Sequence, residues 1–218
     1  MIQFASMISS TESLNSTSSP QYQAVEWLVQ DEIENGSFWP RNEMIQRYVL
    51  AVLFYSTDGS SSWDHDPNFF KPLPVCEWRS SDLSCDTNGS VVSIDLHDDG
   101  LRGTIPEELG FLTTLTQLKL WDNRLVGSIP SELGRLTNLE FLELDNNGFT
   151  GTIPTELAQL SQLKGLYLFN NFLTGSVPGS LCAAPFDWSG FNRFEADCLE
   201  EVTCSCCTRC YDRIGDFP

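Results

Sequence analysis

The segment LTQLKLWDNRLVGSIPSELGRLTN, residues 115–138, decides how the rest of the chain is read. It recurs without insertion as VVSIDLHDDGLRGTIPEELGFLTT from Val91, LEFLELDNNGFTGTIPTELAQLSQ from Leu139 and LKGLYLFNNFLTGSVPGSLCAA from Leu163, a constant spacing of 24 residues. Leu96, Leu120, Leu144 and Leu168 share one column, Gly103, Gly127, Gly151 and Gly175 a second, and Pro106, Pro130, Pro154 and Pro178 a third. Self-similarity at such a period marks a repeat architecture.

Each column has a physical reading. In L-x-L, alternate residues face opposite sides, the period of a strand. No single repeat can bury its own leucines, so neighbours must stack into a parallel sheet. Asn123, Asn147 and Asn171 end the strands, where a carboxamide both donates to and accepts from turning backbone. The first repeat has Asp99 there, which only accepts when ionised, so the asparagine ladder is expected to begin at the second repeat. The glycines suit positions that a Cβ would crowd, and the prolines close extended segments where no ladder N–H is needed. E-E-L-G, S-E-L-G and T-E-L-A after the prolines predict short helical turns on the back face.

This column order resembles the plant-type leucine-rich repeat, L-x-x-L-x-L-x-x-N-x-L-x-G-x-I-P-x-x-L-G-x-L, over residues 91–181. The resemblance implies an α/β solenoid: a short right-handed arc of four repeats, with the main parallel sheet on the concave side and a shorter sheet along one flank. Cys76-Glu77-Trp78 followed by Cys85 resembles the paired-cysteine cap of such proteins, which implies a Cys76–Cys85 bond. The segments SPQYQAVEWL, RYVLAVLFYST and SSW resemble the region before the repeats in diatom-type, microalgal receptor-like ectodomains. Members of those families often carry a transmembrane helix N-terminal to that region.

Around the repeats, residues 1–19 are rich in Ser and Thr and are read as a flexible tether. Residues 20–90 are expected to form a helical N-terminal cap. Its first helix is predicted from Pro20 to about residue 30, with Ala24, Trp27 and Leu28 on one face. The second is predicted over about residues 40–57, with Ile45, Tyr48, Val49, Val52 and Leu53 inward and Gly59 as its stop. Residues 182–218 form a cysteine-rich C-terminal cap.

Eight cysteines, Cys76 and Cys85 before the repeats and Cys182, Cys198, Cys204, Cys206, Cys207 and Cys210 after them, point to disulfides in an oxidising compartment. Pairing among the last six is open, and zinc is the alternative use of C-S-C-C-T-R-C. Sequons at Asn15, Asn35 and Asn88 are N-glycosylation candidates. Residues 1–10 lack the pattern of a signal peptide, and the longest apolar run, residues 48–55, is too short to span a bilayer. An export signal or membrane anchor is therefore expected outside this chain, which would be extracellular or tethered at the cell surface.

A net charge of −18 repels phosphate backbones and anionic lipids, so neither nucleic acid nor direct membrane docking is expected. The chain contains no G-x-S-x-G, P-loop, G-x-G-x-x-G or H-E-x-x-H motif. His65 falls in a loop, and His97 sits among Asp95, Asp98 and Asp99, a group read as a solvated acidic rim with cation binding as the alternative. No enzyme, cofactor or metal is expected.

The outward strand positions carry the functional signal, because the fold requires no particular residue there. The columns read Ser93, Gln117, Phe141, Gly165; Asp95, Lys119, Glu143, Tyr167; and His97, Trp121, Asp145, Phe169. Lys119, Trp121, Phe141, Glu143, Asp145, Tyr167 and Phe169 thus form a concave aromatic patch rimmed by charge, the composition of binding surfaces. The expected partner is a protein or peptide, including a receptor kinase or another leucine-rich repeat protein. The alternative is an adhesive, ice- or glycan-contacting surface using the hydroxyl row Thr104, Ser128, Thr152 and Ser176. Four strands would make the sheet only about 15–20 Å wide.

Overall fold

The computed structural model describes residues 2–36, 39–63, 70–78, 82–183, 193–197 and 202–211. The N-terminal unit is helical: α1 (Ile2–Ala5), α2 (Thr11–Asn15), α3 (Pro20–Asn35), α4 (Arg41–Ser56) and the single turn α5 (Gly59–Ser62). Ser19 caps α3 by accepting from the Tyr22 N–H, and Pro20 takes the first position. The helix runs on past Gln30 because the residue able to stop it is Gly36, in the left-handed region at φ 62°. Helix α4 ends at Ser56, where the Thr57 hydroxyl donates to the Leu53 carbonyl at 2.7 Å. Gly59, expected as its stop, instead opens α5.

Helix α4 is buried on both sides. Tyr48, Ala51 and Val52 pack with α3, whereas Val49, Leu50 and Leu53 join the core of the repeats. Polar residues on α4 are buried as well, and apart from the Arg47 Nε their side-chain groups find partners. The Arg47 guanidinium lies 2.9 Å from Asp31, donates to the Leu73 carbonyl and is stacked among Trp27, Trp39 and Trp78. Gln46 takes the Val91 N–H at the start of the first repeat and donates to the Gly89 carbonyl. The expected tether over residues 1–19 is corrected. Ala5 and Leu14 are buried against the α3–α4 pair, and Ser9 hydrogen-bonds both Tyr48 and the buried Glu108 of the first repeat. The sparse apolar side chains among the hydroxyls suffice to cover that pair.

The repeats supply the strands. These are β1 (Leu83–Cys85), β2 (Val91–Asp95), β3 (Arg102–Gly103), β4 (Gln117–Lys119), β5 (Arg124–Gly127), β6 (Phe141–Glu143), β7 (Gly148–Gly151), β8 (Gly165–Tyr167) and β9 (Phe172–Leu173). Beyond them lie β10 (Gly175–Ser176), α6 (Gly179–Cys182), β11 (Arg193–Asp197), β12 (Val202–Thr203) and β13 (Arg209–Tyr211). The main sheet has the order β1-β2-β4-β6-β8-β11-β13, parallel except for the antiparallel β1. The flank carries β3-β5-β7-β9. Single 3-10 turns at Glu107–Phe111, Ser131–Arg135 and Thr155–Gln159 form the back, as the segments after the prolines predict.

The sheet is wider than four repeats alone provide, because both caps add strands to it. Seven strands at roughly 4.8 Å give about 29 Å. Between the sheets, Leu118, Leu120, Leu142, Leu144, Leu166 and Leu168 are fully buried, each contributing about 1.5–3 kcal/mol of transfer free energy. The asparagine ladder runs through this core. Asn147 donates to the Leu120, Leu144 and Asp145 carbonyls and accepts from the Leu125 N–H, and Asn123 and Asn171 repeat the pattern. Asp197 closes it, its two oxygens accepting the Asn170 and Asn171 N–H groups.

Cys76 bonds Cys85, as the resemblance implies, and Cys182–Cys206 and Cys204–Cys207 staple the C-terminal cap. With those sulfurs in disulfides, the zinc reading of that run fails. Cys198 and the side chain of Cys210 lie outside the described residues, as does His65.

Candidate recognition surface

The parallel register assembles the outward residues into rows that cross the strands. One row reads Gln117, Phe141, Gly165, Arg193, and the next reads Asp95, Lys119, Glu143, Tyr167, Glu195, Arg209. Two positions further along each chain segment lie His97, Trp121, Asp145, Phe169 and Asp197. All seven residues singled out from the sequence, Lys119, Trp121, Phe141, Glu143, Asp145, Tyr167 and Phe169, therefore fall on one face. The aromatic ones are half-buried and not freely solvated. Trp121 stacks on His97 with ring centroids 4.3 Å apart, and the Phe141 and Tyr167 rings close over Gly165. A Cβ on Gly165 would stand 2.7 Å from one ring and 2.8 Å from the other, so glycine is what lets them meet.

Charge on this face is unevenly compensated. Lys119 lies 3.3 Å from Asp95, and His97 bonds the other oxygen of that carboxylate. Burial pushes Asp95 up, but those two partners outweigh it and hold the group below the usual carboxylate range. Arg193 and Arg209 stand 3.6 and 4.0 Å from Glu195. Glu143 and Asp145, between these two groups, have no cation within ion-pair distance among the described residues. Burial raises Glu143 above its ordinary value despite the more distant Lys119. Asp145 is only 7% exposed and is pushed up to about 7, first by burial and then by Glu143, Asp122 and Glu195. Its described side-chain partner is the Asn146 amide at 3.0 Å. Burial and Glu195 likewise raise the Tyr167 hydroxyl.

The Leucine Rich Repeat family model matches residues 114–136, 138–160 and 162–184. A chain of the BIR3–SERK2 complex from Arabidopsis thaliana is 34% identical, with a TM-score of 0.53 over 62% of this chain and 73% of that one. The chain belongs to the plant-type leucine-rich repeat family. The chain is also similar to the PEPR1–AtPEP1 crystal structure, with 32% identity and a TM-score of 0.56 over 72% of this chain but only 21% of that chain. Pollen Receptor Kinase 3 gives 27% identity and a TM-score of 0.56 over 74% and 72% of the two chains. No relative is found among curated proteins.

Sequence reasoning missed part of the leucine-rich repeat surface. Arg193, Glu195, Asp197 and Arg209 come from the C-terminal cap, where the spacing breaks: Gly165 pairs with Arg193, 28 residues on. The signal was the polar–apolar alternation R-F-E-A-D in the sequence, although in the structure Glu195 and Asp197 are buried along with Phe194 and Ala196. Elsewhere, Asn15, Asn35 and Asn88 are all exposed, although Asn35 already donates to Asp31. Thr104, Ser128, Thr152 and Ser176 form an exposed row by the flank. A 680 Å³ groove lined by Leu14, Tyr22, Val25, Trp27 and Tyr55 lies on the helical cap and shares no residue with the concave columns. Among the described residues no group of His, Cys, Asp or Glu is arranged to hold a metal.

Proposed function

We propose that this chain is an extracellular, non-enzymatic recognition module that binds a protein or peptide segment on its concave face, as part of a receptor-like or co-receptor-like surface protein. The observation that carries this reading is the row structure of the main sheet: outward positions that the fold leaves free hold Trp121, Phe141 and Tyr167 interleaved with carboxylates. Aromatic anchors rimmed by charge are the usual energetic centre of an interface. Two similar structures are complexes, one named for BIR3 with SERK2 and one for PEPR1 with AtPEP1, which supports a receptor kinase or another leucine-rich repeat protein as the partner class. The disulfides fit an oxidising compartment. Among the described residues no helix is long and apolar enough to cross a membrane.

A face of this width supplies one side of a modest interface, on the order of 800 Å². The double variant Trp121→Ala/Tyr167→Ala is expected to lose partners recovered by affinity capture, while the melting temperature falls by only a few degrees. Retention of the same partners by the folded variant would remove the concave face from consideration.

A further inference from the structure

The Glu143–Asp145 pair is the least compensated charge on the concave face. Among the described residues, the cations that reach the face are engaged at its margins: Lys119 by Asp95 on one side, Arg193 and Arg209 by Glu195 on the other. The two central carboxylates sit two residues apart on one side of the sheet, roughly 6–7 Å between their Cα atoms. They are flanked along the strand by Phe141, on the next strand by Tyr167 and on the preceding one by Trp121. Asp145 is more than nine-tenths buried, yet its surroundings are acidic.

Resting on the recognition reading above, we propose that this centre receives an arginine or lysine side chain of the bound segment, held by Glu143 and Asp145 and walled by the neighbouring rings. Charge complementarity selects the partner. A carboxylate pair in a half-desolvated site is unfavourable alone and favourable once a cation enters. The aromatic side chains in the neighbouring columns cover the aliphatic stem of the incoming residue. The chain's net charge of −18 further speeds the approach of a basic segment at low ionic strength. The same surroundings that raise the two acids make the site proton-linked. Bound cation favours the ionised forms, so affinity should fall as pH drops from 8 to 6.

The test uses the full chain with its disulfides intact, panned against a random dodecapeptide display library. Wild type, Glu143→Gln/Asp145→Asn and Trp121→Ala/Tyr167→Ala are compared at pH 8, with melting curves confirming that each is folded. The carboxamide variant removes repulsion and so keeps its stability. Clones selected on wild type are expected to be rich in Arg and Lys, and to bind the carboxamide variant at least tenfold more weakly, with the loss reproduced by high salt. Enriched clones that depend on Trp121 and Tyr167 but carry no basic residue, or that bind the carboxamide variant equally well, overturn the cation site and leave the concave-face reading standing. Clones indifferent to both variants, or no enrichment on wild type, overturn both. Competition of every clone by millimolar calcium would make the pair a metal site and also defeat the proposal.

Discussion

Asp145 shows how a residue's chemistry depends on distant sequence. Its carboxyl titrates at about 7 in the folded chain, whereas an aspartate in an unfolded chain titrates near 4. Between those values the folded state holds a proton that the unfolded state has released. Its stability contribution is therefore greatest below the unfolded value and is lost as pH rises through 7. Asp145→Asn is expected to change stability little at pH 4 and to raise it by ~1–3 kcal/mol at pH 8, read as the difference from wild type in urea unfolding. That Asp145 lies on the outward face was legible from the period of two. Its displaced titration was not, because one of its causes is Glu195, on a strand supplied by the C-terminal cap.

At the scale of elements, the contact between helical cap and solenoid runs through Gly103. The backbone of β3 joins the end of α4 directly, with the Arg102 N–H donating to the Thr57 carbonyl and the Thr104 N–H to Ser56. A Cβ on Gly103, at φ +94°, would stand 2.2 Å from the Ser56 carbonyl oxygen. Gly151, in the same column at φ +78°, has its nearest neighbour at 3.9 Å. Gly151→Ala should therefore cost only the left-handed backbone strain, ~1–2 kcal/mol. Gly103→Ala should cost clearly more and loosen α4, seen as faster hydrogen exchange in that helix; equal losses for the two would contradict the contact. The column itself was plain in the sequence, but the different duties of its members were not, since a repeat pattern cannot say which copy abuts a cap. The reach of α3 to Asn35 was missed for a related reason: its stop is the conformation of Gly36, not the end of an apolar stripe.

For the whole molecule, the four repeats were readable because their 24-residue spacing is unbroken. The caps were read less fully, because they satisfy the solenoid with polar contacts that leave no periodic trace. Ser9 on Glu108 and Gln46 on Val91 are examples. Residues 1–19 illustrate the consequence. A tether could be deleted without effect, but here Ala5 and Leu14 are buried and Ser9 meets the first repeat. Deleting residues 1–19 is expected to cost ~2–4 kcal/mol by chemical denaturation, comparable to the loss of one or two buried apolar side chains plus the exposure of Glu108.

The closure of the ladder at Asp197 reaches beyond this one chain. Because that carboxylate meets the last repeat through two backbone N–H groups common to any residue type, the cap has no need to know how many units precede it. Length is thereby uncoupled from termination. A gene that gains or loses one in-frame block of 24 codons among the interior repeats would keep the contacts each cap makes with its own neighbouring repeat and move the two ends by one strand spacing, so the breadth of this surface can drift in whole steps under selection while its beginning and its end stay as they are.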